Sequence, residues 1–104
     1  MTPELQHEIE AATLHRLLDH LRNHPEVQNI ELMILADFCR NCLAKWYVAE
    51  AAERDVQLDY AQAQAIVYGM SYGEWKLKHQ KEATPEQLQA YEERQRHKQE
   101  AGET

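Results

Sequence analysis

The stretch from Ile30 to Ala52 constrains the fold most, because it is the most apolar part of the chain and still cannot span a membrane. Asp37, Arg40, Asn41 and Lys45 interrupt it, whereas a spanning helix needs about 20 predominantly apolar residues in succession. It reads instead as one long helix from about Ile30 to Arg54, with Asn29 as its cap. Leu32, Met33, Leu35, Phe38, Leu43, Trp46 and Val48 leave that helix apolar on most sides. A helix of this kind belongs at the centre, with others packed around it.

The rest of the chain supplies the partners. Alanine, leucine and long polar side chains dominate, three glycines and three prolines are the only strong breakers, and no segment alternates with period two. Straight-chain residues lose little rotamer freedom in a helix, so the expectation is an all-α fold of about five helices. Thr2-Pro3-Glu4 opens the first, which His24-Pro25 ends. Its residues Leu5, Ile9, Ala12, Leu17 and Leu21 recur at helical spacing and predict one buried face. Asp59 caps a helix over 60–68 that Gly69 closes in the left-handed conformation. Ser71 and Glu74 form a capping-box pattern for the next, through Trp75 and His79, and Thr84-Pro85-Glu86-Gln87 opens the last. The expected organisation is a single domain over 1–91 and a polar, fraying tail over 92–104.

Charge narrows the partners. The formal net charge is −7, and the basic residues Arg94, Arg96 and Lys98 are interleaved with glutamates. Such a balance repels phosphate, so neither nucleic acid nor an anionic membrane surface is expected as a partner. Residues 1–10 hold three glutamates and no apolar run, unlike a secretory signal, and a cytoplasmic location is expected. There, two cysteines read as thiols or metal ligands rather than as a structural disulfide.

Cys39-Arg40-Asn41-Cys42 is the one pattern with chemistry attached to it. A CxxC pair holds a soft metal or cycles between dithiol and disulfide. On a helical wheel both cysteines fall on the face of Leu32, Leu35 and Trp46, inside the expected helix and far from its positive end. That placement favours buried core thiols first, zinc or iron ligands second and a redox pair last. A closed zinc site needs four ligands, and His20 or the same two cysteines of a second subunit would have to complete it.

Two further groups are candidates for a binding surface. Asp37, Arg40, Asn41 and Lys45 share one strip of the apolar helix, suited to a polar or anionic ligand or, more simply, to an intrahelical pair on its solvated side. Tyr68, Tyr72 and Trp75 crowd a helix–helix corner, where aromatic groups with polar tips serve either an interface or the core. Trp46 and Tyr47 are the other aromatic groups to inspect for an interface. No glycine-rich phosphate loop, nucleophile elbow or HExxH appears, which leans away from an enzyme.

FCRNCLAKWY at 38–47 and YGMSYGEWK at 68–76 resemble a family of uncharacterised bacterial proteins, the domain of unknown function 1244. In that pattern proline usually follows YGM, where this chain has Ser71. The resemblance implies an all-helical, self-associating fold and no established activity. A domain this small buries a limited share of its surface, and its central helix has more apolar sides than short partners cover. The expectation is therefore a homodimer, a non-enzymatic interaction or scaffold module with room for a further protein partner. The alternative is a metal-binding protein built on Cys39 and Cys42.

Overall fold

A computed structural model describes residues 1–102 as six helices: α1 (Pro3–Arg22), α2 (Asn29–Ala36), α3 (Arg40–Glu53), α4 (Tyr60–Tyr68), α5 (Tyr72–His79) and α6 (Pro85–Glu100). No strand occurs among the described residues. The fold is all-α, as the composition predicts. None of these helices is long and apolar enough to cross a membrane.

The helix starts were legible because side-chain oxygens cap them. Thr2, Asp59, Ser71 and Thr84 each accept a hydrogen bond from the backbone N–H three residues on, satisfying donors that have no partner inside the helix. Gln62 and Gln87 reach back to complete capping boxes at Asp59 and Thr84. Gly69 closes α4 at φ 75°, and a Cβ there would lie 3.1 Å from the Arg22 side chain. Left-handed backbone and a crowding arginine thus both call for glycine at this turn.

The single long helix over Ile30–Arg54 is corrected: the chain stops at Ala36 and starts again at Arg40. Asp37 takes the left-handed conformation (φ 61°) and its N–H bonds to Met33 O, ending α2 without any glycine or proline. Aspartate tolerates that region better than most residues. Tertiary demand explains the break, since α2 packs on α6 while α3 packs on α4. One straight rod could not serve both. Within the stretch expected to fray, α6 continues as helix to Glu100, and Lys98 Nζ pairs with Asp37 Oδ2 at 3.4 Å. Residues 103 and 104 of that stretch lie outside the described ones.

The core is Leu18, Ala44, Ala63, Val67, Tyr68 and Trp75, with Leu43, Val48, Leu58, Met70 and Tyr72 packed against it. It draws on α1, α3, α4 and α5. Ala44 and Ala63, both fully buried, let α3 and α4 approach closely. The expected buried face of α1 is also corrected, because only Leu18 and Leu21 are buried in that helix. Leu5, Ile9 and Leu17 stay exposed. The apolar stripe is present, but none of the described residues covers it.

Candidate functional site

The CxxC segment sits at a helix start rather than in a helix interior. Cys39 is the N-cap of α3, in extended backbone (φ −146°, ψ −176°), and Cys42 is the third helical residue. The N–H groups of Cys42 and Leu43 both bond to Cys39 O, at 3.0 and 3.2 Å. The wheel that placed both thiols among Leu32, Leu35 and Trp46 assumed an unbroken helix, so that placement is corrected. Leu35 is in fact 80% exposed and Trp46 55%. Cys39 is buried and Cys42 half-buried, and neither is in a disulfide. The Cys42 thiol lies 4.0 Å from Met33 Sδ across the α2–α3 joint. Burial pushes the Cys39 thiol up, the neighbouring N–H groups of Cys42 and Asn41 oppose that, and the Cys42 side chain reinforces it.

Arg40 is the largest departure from the sequence reading. Expected on the solvated strip with Asp37, Asn41 and Lys45, it is 1% exposed. Its guanidinium donates to Val27 O at 2.7 Å, Asn29 Oδ1 at 3.1 Å, His24 O at 3.0 Å and Leu21 O at 3.4 Å. It also lies 4.9 Å from the Trp75 ring centroid. Among the described residues, no carboxylate forms an ion pair with it. The cation instead meets the carbonyls at the end of α1, where the helix dipole is negative, and the face of an indole. Burial lowers the Arg40 pKa, and the planar fork offsets that burial by setting four of its N–H donors on acceptors.

The other strip residues divide. Asn41 Oδ1 accepts from Tyr68 Oη at 2.7 Å and from Gln64 Nε2 at 3.2 Å, while Asn29 Nδ2 donates to Tyr68 Oη at 2.9 Å. Arg40, Asn29, Tyr68, Asn41 and Gln64 therefore form one polar chain through the interior. Asp37 turns the other way, to Lys98, with its Oδ1 buried and unbonded. Lys45 alone remains on an open surface. The intrahelical pair of Asp37 with Arg40 or Asn41 does not form, because Asp37 is no longer on their helix.

The aromatic corner is core. Tyr68 and Trp75 are buried and meet edge-to-face with centroids 5.0 Å apart, and Tyr72 is half-buried at 5.3 Å from Tyr68. Burial drives the Tyr68 phenol well above its ordinary pKa, only partly offset by the hydrogen bond from Asn29. Gln28 closes the same region from below, donating to His79 O at 2.9 Å and accepting from Lys81 N at 2.8 Å. The His79 ring lies tilted against Trp75, with centroids 5.7 Å apart and planes at 53°.

His20 is exposed and pairs with His24, ring centroids 4.5 Å apart. The HxxxH spacing of these two was visible in the sequence and was not singled out. Among the described residues, no three histidine, cysteine, aspartate or glutamate side chains converge as a metal cluster.

A different surface is open. Between α1 and α3 runs an apolar groove of about 780 Å³, lined by Leu14, Leu43, Trp46, Tyr47, Val56 and Val67 among others, with Glu50 and Arg54 along it. Leu14 and Val56 were missed because no local pattern marks them; the groove exists only where α1, α3 and the turn after α3 meet.

Residues 27–93 match the model of the family described as Protein of unknown function (DUF1244). The match covers the CxxC segment, Arg40, the Tyr68 network and the aromatic corner. No curated protein matches the chain.

Proposed function

The chain belongs to that family of unknown function, and from this premise we propose that it is a non-enzymatic, self-associating interaction module, two copies pairing about a two-fold axis. The observation that carries the reading is uncovered surface. The chain exposes 7741 Å², whereas a compact monomer of 12.2 kDa exposes roughly 6,100 Å². The excess is on the order of 1,600 Å², and a standard interface takes about 800 Å² from each partner. Its apolar part includes Leu14, Trp46, Tyr47 and Val56, which line one groove, and Leu5, Ile9 and Leu17 elsewhere on α1. Residues 3–17 of α1 are all exposed, so most of that helix lacks the tertiary packing from which helices draw most of their stability. A second copy supplies the missing apolar face. The proposed setting is a bacterial cytoplasm, where a permanent structural disulfide is disfavoured. Light scattering at micromolar concentration tests the reading: twice the mass of one subunit is expected, and the mass of one subunit would sink it.

A second reading has its own observation. The break at Asp37 places Cys39 and Cys42 on the first turn of α3, and two such thiols would supply two of the four ligands a tetrahedral zinc or iron site needs. His20, or the two cysteines of a second subunit, would complete it. Elemental analysis of untagged protein purified without chelator decides this, because a fixed metal-to-subunit ratio lost with either cysteine is required.

A further inference from the structure

We propose that Cys39 and Cys42 form a reversible intrachain disulfide by exchange with small-molecule disulfides of the glutathione class, the more open Cys42 reacting first and Cys39 resolving it. The geometry comes from where the two residues stand on α3. They occupy the N-cap and third positions, the same pair that Asp59 with Gln62 and Thr84 with Gln87 fill at α4 and α6. At those positions the cap side chain bends over the first turn and its partner reaches back toward the cap. In a turn closed by the bond from Cys42 N to Cys39 O, the two Cα atoms are within about 7 Å. A disulfide bridges separations of about 4.4–6.8 Å. Cys39 already lies outside the helix in extended backbone, so its side chain adjusts without breaking a helical turn.

The difference in burial sets the order of events. Cys42 is half-buried at the α2–α3 joint beside Met33, and Cys39 is buried. The Cys42 thiolate attacks one sulfur of the incoming disulfide, and the other sulfur leaves as a thiol after taking up a proton. Cys39 Sγ then attacks Cys42 Sγ in the mixed disulfide, expelling the second small thiol. Two protein thiols are oxidised and one small disulfide is reduced to two thiols, so electrons and protons balance. The bond ties the first turn of α3 to the residue that follows Phe38, holding the α2–α3 joint beside the Arg40 network.

The test uses the full chain, treated with chelator and then equilibrated in buffers of graded oxidised-to-reduced glutathione ratio without denaturant. Acid quenching, alkylation and intact mass then count thiols. Expected is a fall from two free thiols to none, with loss of two hydrogens, no retained glutathione, and full reversal by dithiothreitol. Cys39→Ser, in which serine is itself a good cap, is expected to trap one glutathione on Cys42. Thiols that react only after denaturation, a stable mixed disulfide in the unsubstituted chain, or a bond only between subunits would each overturn the proposal. If Cys39→Ser fails to fold, the thiol count of the unsubstituted chain decides alone.

Discussion

The first turn of α3 and its second half lie on one fourteen-residue helix and are finished in opposite ways. At the start, the buried Arg40 and half-buried Asn41 are tied by hydrogen bonds to α1, the 23–28 connector, the first residue of α2, and α4. Further along, Trp46 and Tyr47 stand exposed beside a mainly apolar groove. The polar end is closed and the apolar end is open, the reverse of what hydropathy suggests. Polar groups can be buried when every donor finds a fixed acceptor, and apolar groups stay exposed when the chain has no surface left to cover them. The first end specifies the fold of one chain. The second is available to a partner.

Substitutions at three positions bear on that contrast. The largest effect is expected at the closed end. Arg40→Ala removes the cation and leaves carbonyls of Leu21, His24 and Val27 without their donor, a loss of about 3–5 kcal/mol. Urea unfolding followed by circular dichroism reads it, and Arg40→Lys should recover only a fraction because an ammonium lacks the planar fork. A variant as stable as the parent would mean that the buried guanidinium merely fills space.

Tyr68→Phe is expected to cost less, about 1–2 kcal/mol, through the lost bridge between Asn29 and Asn41. It also carries a pH signature. The phenol is raised in the folded chain, so its contribution is complete below the unfolded value of about 10 and lost as pH rises beyond it. Stability measured between pH 8 and 11 should fall more steeply for the parent than for Tyr68→Phe. Equal slopes would place the alkaline loss elsewhere.

The smallest effect on the isolated fold is expected at the open end. Trp46→Glu should halve the mass seen by light scattering and abolish the concentration dependence of unfolding. Helix content should persist, with the stability of the single chain changed by about 0.5 kcal/mol or less. Loss of the fold in this variant would show Trp46 to be core, and the comparison between the two ends would collapse.

Much of the scaffold was readable from local chemistry. Thr2, Asp59, Ser71 and Thr84 announced four helix starts, and Gly69 a helix end, because caps act within three or four residues and depend little on the rest of the fold. The break at Asp37 was not readable. No glycine or proline marks it, and the local preference for continuing the helix was overridden by packing α2 and α3 against different partners. From that one error followed the misplaced strip and the misplaced cysteines, since a helical wheel loses its phase at a break.

The sequence by itself determined the all-helical class, most of the helix ends and the abundance of apolar surface, all consequences of propensity, capping and periodicity. Only the tertiary structure decided that Arg40 is inside, that Trp46 is outside, and that Cys39 begins a helix instead of lying within one. Burial of a charge depends on acceptors brought from Leu21, His24, Val27 and Asn29, and those converge only once the chain has folded back between α1 and α3.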